Sequence, residues 1–267
     1  MDPSQTELRM SFFEHLGELA TRLKRSLIAY IIALILVSSL PDPLHPFGPN
    51  GVYGYNFLLI ALINRAEAYY LPPGYKLFSN SIEDPVFAFV NVSLVLALVV
   101  SLPYIFNQIY GFVAPGLYQR EKRAVRKYLL PFTILLVTGG LFGLFVVFKL
   151  VMRVLLIFYQ PLGVQSLVSL DSFINLLLLV PSMTGLAFTF PVYLIPLVEL
   201  RVLSVKQLTS ARKWVYVLVA LGVSIANPDP TDISSLPVVL PIFALFEITV
   251  FVAKRIEKKR AKAGVGT

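Results

Sequence analysis

The stretch DPVFAFVNVSLVLALVVSLPYIFNQIYGFVAPGLYQREKR, residues 84–123, carries no charge from 86 to 106 and then meets three cations and one acid within 120–123. A helix needs about 20 apolar residues to cross a hydrocarbon core of about 30 Å, so 86–106 is long enough to span a bilayer. The basic cluster that follows marks the end of such a span at a membrane interface.

Five further apolar runs flank this one, at 27–40, 129–152, 173–198, 214–226 and 237–253, each bounded by Pro, Gly or charge. Six candidate spans result. The run at 27–40 has the length of a signal-peptide core, but LVSSLPDPLHP after it lacks a small-residue cleavage pattern, so it reads as a retained span. The run at 214–226 would reach only about 20 Å as a helix. The link NPDPTDISS at 227–235 is too polar and Pro-rich for lipid. The fifth and sixth spans are therefore expected to be short and to sit in locally thinned bilayer.

Composition agrees. Of 267 residues, 57% are hydrophobic and 14% charged, and the mean hydropathy is +0.76, as expected for an integral membrane protein. The absence of Cys excludes disulfides, thiolate metal sites and cysteine nucleophiles, and the two histidines, His15 and His45, are too far apart in sequence to suggest a metal cluster. No metal, cofactor or enzymatic nucleophile-and-base pair is expected.

The net charge of +8 is distributed by topology. Of the 23 Lys and Arg, 19 precede span 1, lie between spans 2 and 3 or spans 4 and 5, or follow span 6. Only Arg65, Lys76, Lys149 and Arg153 fall on the other side. The positive-inside rule then places both termini in the cytoplasm, N-in and C-in. The same charge favours anionic head groups and does not require nucleic-acid binding. A single six-helix membrane domain, 1–253, is expected, followed by a basic cytoplasmic tail, 254–267. In the longest outer loop, 41–85, YNFLLIALINRAEAYY reads as an amphipathic or interfacial helix with Tyr69 and Tyr70 at head-group level.

The amphipathic N-terminal segment, 11–25, leads into span 1. Phe12, Leu16, Leu19, Leu23 and Leu27 recur at helical spacing, and Ser11 with Glu14 has the form of a capping box. Glu18 lies one turn before Arg22. An exposed ion pair contributing about 0.3–0.5 kcal/mol explains that spacing, and so does a carboxylate held for a cationic ligand. Glu121, the lone acid in its basic loop, suits either the start of the next helix or a guanidinium ligand. Glu247, about ten residues into span 6, is the one deep intramembrane carboxylate, which suggests function or helix packing. Thr189, ahead of Pro191 in span 4, most simply bonds its own backbone.

Taken together, HLGELATRL at 15–23, DPVFAF at 84–89, SLPYIFNQIYGFVAPGLYQREKR at 101–123, GLAFTFPV at 185–192, NPDPTD at 227–232 and VLPIFALFEITVF at 239–251 resemble the TatC subunit of the twin-arginine protein translocase. The segments cover nearly the whole chain in the family's order. The resemblance implies an all-α fold, a glove-shaped bundle of six transmembrane helices with short helices 5 and 6, in a prokaryotic cell membrane. It implies a non-enzymatic receptor for twin-arginine signal peptides of folded cargo, and a homo-oligomer within a receptor complex. Small single-span subunits of the TatA/TatB type would be organised on it for export driven by the proton-motive force.

By the same resemblance Glu18 and Glu121 are the recognition carboxylates, with Arg22, Phe112, Gln108 and Arg123 near them. Thr189, Asp229 and Glu247 would serve partner docking or translocation. Three positions depart from the family pattern: Ala20 replaces a usual arginine, Thr189 a frequent Glu or Gln, and Asn91 a frequent lysine. A small-solute secondary transporter using Glu247 and Asp229 is the rival. It would be supported by an internal repeat or paired midplane breaks, and the sequence shows neither.

Overall fold

Hydrocarbon offers backbone N–H and C=O groups no partners, so a chain this apolar must satisfy them within helices. The structure, a computed structural model, describes residues 12–52, 54–113, 127–157, 167–199, 201–226 and 235–264. Helix dominates them. Among the described residues, four helical units are long and apolar enough to cross a bilayer: Asp84–Phe112, Leu129–Ile157, Leu170–Glu199 and Leu236–Arg260. They correspond to expected spans 2, 3, 4 and 6.

In chain order the elements are α1 (Phe12–Ser39), β1 (Phe47–Val52), α2 (Leu58–Tyr70), β2 (Lys76–Phe78), α3 (Asp84–Val113) and α4 (Leu129–Phe142). A π-helical stretch (Gly143–Phe148) leads into α5 (Lys149–Ile157). Then come β3 (Leu167–Ser169), α6 (Leu170–Phe188), α7 (Phe190–Glu199), α8 (Val205–Ser210), α9 (Arg212–Ala226) and α10 (Leu236–Gly264). The apolar parts of α1 and α9 stand at expected spans 1 and 5. With 15 residues, α9 is short, as expected. Helix α10 has 29 residues because it continues past the expected sixth span at 237–253 into the basic segment, where KRIEKKRAKA at 254–263 contains no Gly or Pro to stop it.

Two interruptions were not evident in the apolar pattern. Span 3 shifts to π-helical pairing after the Gly139–Gly140 pair. Span 4 breaks at Thr189, whose φ of −77° and ψ of −6° end α6 before Pro191, which has no N–H to continue the ladder. The Thr189 N–H and hydroxyl both donate to the Leu186 carbonyl, at 3.1 and 2.6 Å, which resolves the backbone groups freed by the break.

Helices α1 and α3 pack antiparallel: the Tyr30 hydroxyl donates to the Leu94 carbonyl at 3.2 Å, and lower-numbered residues of α1 meet higher-numbered ones of α3. Helices α4 and α6 cross where Gly139 and Gly143 face Phe188, Pro181 and Thr184. The largest core joins Val37, Leu59, Val92, Phe148, Phe173 and Ile174 beneath the elements of the 41–85 loop. The helix expected in that loop is α2. Its end is half as expected: Tyr69 is exposed, whereas Tyr70 is buried and donates to the Leu144 carbonyl at 2.9 Å. Burial pushes the Tyr70 hydroxyl up to about 12, so it remains a donor. Strands β2 and β3 pair in parallel, Leu77 opposite Val168. A second core, Val198, Val205, Leu208, Phe246, Val250 and Ala253, ties α7 and α8 to α10.

Candidate functional site

The expected apolar stripe of α1 faces outward: Leu16, Leu19, Leu23 and Leu27 are 45, 41, 66 and 56% exposed. The adjacent stripe, at 15, 18, 22 and 26, about 100° round the helix, carries polar groups, is less exposed and turns toward α3. Ala20 is exposed, away from that polar stripe, so the missing arginine removes nothing from it.

Arg22 donates Nε and Nη2 to Glu18 Oε1, at 2.8 and 2.6 Å. The side chains are 25 and 18% exposed, so the pair is more sheltered than a surface ion pair. The second carboxylate oxygen, Glu18 Oε2, is buried and accepts no hydrogen bond among the described residues. His15 Nδ1 lies 4.0 Å from it. The His15 ring stacks on Phe112, centroids 4.3 Å apart and planes 16° from parallel.

Helix α3 contributes Gln108, Gly111 and Phe112, which share one face by their spacing of three and four. Gly111 lets Arg22 lie directly on the α3 backbone, since a β-carbon there would fall 2.0 Å from Arg22 Nη1. Gln108 is 8% exposed, and its Oε1 is buried without a hydrogen-bond partner among the described residues. One carboxylate oxygen and one amide oxygen are thus sheltered acceptors without a donor among the described residues, on helices joined by the His15–Phe112 stack. Such a set matches a guanidinium, which is planar, donates several N–H groups and stacks on rings.

Four sequence-derived candidates, Glu18, Arg22, Gln108 and Phe112, therefore come together through the α1–α3 contact. His15 and Gly111 join them without having been singled out. The sequence signal for His15 was its spacing of three from Glu18. Gly111 had none, because a close approach is invisible until both helices are placed. Glu121, Arg123 and Asp229 lie outside the described residues, as does Ser11 of the expected capping box.

The remaining candidates have other surroundings. Thr189 is fully buried and its hydroxyl is committed to Leu186. Glu247 accepts Arg212 Nη2 at 2.8 Å and the Tyr216 hydroxyl, which ties α10 to α9. Tyr128, at the entry to α4, donates to Glu199 Oε2 at 2.8 Å. Burial, reinforced by that carboxylate, holds the Tyr128 hydroxyl well above its ordinary range.

Known proteins place this architecture. Residues 14–241 match the family model for the Sec-independent protein translocase protein TatC. The chain is similar to the TatC protein of Magnetococcus marinus, 29% identical over 96% of this chain and 88% of the relative. It is likewise similar to TatCy of Bacillus subtilis, 27% identical over 96 and 93%, and to TatC of Aquifex aeolicus, 29% identical over 94 and 98%. Its fold superposes on a crystal structure of the twin-arginine translocase receptor TatC in DDM, with a TM-score of 0.72 and 27% identity, covering 90% of this chain and 99% of that one. A second crystal structure of that receptor gives 0.70 and 28%, covering 91 and 99%. With the family model matched across most of the chain and the same helical fold, this protein belongs to the TatC family, the multi-pass membrane components of the Sec-independent protein translocase.

Proposed function

We propose that the chain is the receptor subunit of its translocase and binds the paired arginines of signal peptides on folded cargo. The observation that carries this reading is the sheltered Glu18 Oε2, a carboxylate acceptor without a hydrogen-bond partner among the described residues, together with the Gln108 Oε1, likewise without one, and the His15–Phe112 stack that joins α1 to α3. A buried carboxylate oxygen left unsatisfied has a desolvation cost that an incoming guanidinium offsets. One signal-peptide arginine takes this place, and the Glu121 carboxylate in the 114–126 loop accepts the other, with Arg123 near that surface.

Both termini face the cytoplasm in this reading, supported by the basic bias of the loops. Bound signal peptide prompts assembly of small single-span partner subunits, with Thr189, Asp229 and Glu247 serving docking or translocation. The proton-motive force drives transport, and copies of this chain associate in the receptor complex. The pairing of Glu247 with Arg212 and Tyr216 favours a helix-positioning part over solute coupling.

The test is site-specific crosslinking to an Arg-Arg signal peptide and its Lys-Lys counterpart. Glu18→Ala and Glu121→Ala should each lower crosslinking to the Arg-Arg peptide while membrane insertion is unchanged. Undiminished crosslinking in the double variant overturns the receptor assignment.

A further inference from the structure

Helix α10 does not end with its apolar run. Ala253 is fully buried, and the helix continues through KRIEKKRAKAG to Gly264. Arg260 fixes this extension: its Nη1 donates to the Val198 carbonyl at 3.2 Å and its Nη2 to the Glu199 carbonyl. Those carbonyls belong to the last turn of α7, where backbone acceptors lack intrahelical donors and the helix dipole favours a cation. Val250, Ala253, Ile256 and Arg260 thus form the docked side, by helical spacing and burial.

The other side holds Lys254, Arg255, Lys258 and Lys259, all exposed, against a single exposed acid, Glu257. Arg255 lies over the Phe251 ring, 4.4 Å from its centroid, and Phe251 is 54% exposed on the apolar part of the helix. The cations therefore begin where the lipid-facing surface ends, at head-group level. From 254 to 259 the helix rises only about 7.5 Å, within one Debye length at physiological salt, so the four charges act on the same patch of membrane.

We propose that these turns of α10 are a fixed cationic platform for the phosphates of anionic phospholipids. A retention signal needs only positive charge near a span, in any conformation. Here Arg260 holds the segment helical against α7 and orders its cations before lipid arrives, which lowers the entropy lost on binding. The contact of Arg255 with the lipid-facing Phe251 selects a membrane ligand over an acidic macromolecule in the aqueous phase.

The full-length protein is reconstituted in nanodiscs of phosphatidylcholine with and without phosphatidylglycerol, and retained lipids are counted by native mass spectrometry. The wild type should retain phosphatidylglycerol preferentially, with a preference that falls as salt rises. Combined Lys254→Gln, Arg255→Gln, Lys258→Gln and Lys259→Gln should abolish it, each charge accounting for about fivefold in affinity. Arg260→Gln should lose more than Lys259→Gln, although each removes one charge, because only the former undocks the helix. Wild-type retention in the fourfold variant overturns the proposal, as does equal loss from Arg260→Gln and Lys259→Gln. Stronger capture of a poly-glutamate peptide or a short RNA than of phosphatidylglycerol overturns the lipid assignment.

Discussion

The guanidinium of Arg22 rests on Gly111, so close that a β-carbon on residue 111 would lie 2.0 Å from Nη1 and 2.7 Å from Cζ. This contact places Arg22 beside the α3 backbone while it holds Glu18 Oε1 and leaves Oε2 without a hydrogen-bond partner among the described residues. A glycine on one helix thereby sets the position of a carboxylate on another.

Gly111→Val should push Arg22 off α3 and lower crosslinking to an Arg-Arg signal peptide severalfold, with membrane insertion unchanged. The effect should depend on the side chain it strikes. In a cycle combining Gly111→Val with Arg22→Ala, we expect a coupling of about 0.5–3 kcal/mol, the range for residues in contact. Additive effects would show that the close approach does not position the site.

The α4–α6 crossing makes a second demand for small residues. A β-carbon at Gly143 would meet Pro181 Cα at 2.8 Å and Thr184 Cβ at 2.9 Å, whereas one at Gly140 meets only the Pro181 carbonyl oxygen at 3.8 Å. Gly143→Ala should cost about 1–3 kcal/mol through overpacking. Gly140→Ala should be neutral or gain up to about 1 kcal/mol from helix propensity. Thermal unfolding in one detergent separates the two.

Arg201, with φ of 63°, is the left-handed residue that ends α7, and the bonds Arg201 N to Val198 O and Val202 N to Leu197 O form a Schellman motif. Glycine is the residue that adopts this conformation without strain. Arg201→Gly should raise stability by up to about 1 kcal/mol, and Arg201→Val should lower it by a similar amount or more. An inverted order in chemical or thermal denaturation would contradict the strain at this position.

In the loop between α1 and α3, Asp42 is 4% exposed, accepts the Leu44 N–H at 3.2 Å and pairs with Arg65 Nη2 at 2.8 Å. Burial alone would raise its pKa, but the Leu44 N–H and the Arg65 guanidinium outweigh it, so the carboxyl titrates below its ordinary range. A lowered folded-state pKa contributes stability above the unfolded value of about 4, and that contribution disappears as pH falls through the folded one. The wild type should therefore lose stability below about pH 4, and Asp42→Asn should lack that step. Melting temperatures measured for both proteins across that range decide the matter.

Much of this protein was legible from local pattern. An apolar run such as 86–106 can only be a helix in lipid, so the helical spans, the shortness of α9 and the helix α2 followed from composition and periodicity. The proximity of Glu18 to Arg22 followed as well, since residues four apart share a helix face. The end of α10 did not, because the expected boundary was drawn where polarity changed, and polarity alone does not stop a helix that retains good formers and gains a dock for Arg260.

Sequence by itself also identified the family, through short segments whose residues and order suffice without coordinates. Only the tertiary structure decided which side of α1 faces the bundle, that His15 and Gly111 belong with Glu18, Gln108 and Phe112, that span 4 breaks at Thr189, and that Glu247 is paired. The reason is physical: helix formation depends on neighbours within a turn or two of chain, whereas an unsatisfied oxygen, a forbidden β-carbon or an ion pair between α9 and α10 exists only once distant helices occupy the same few ångströms.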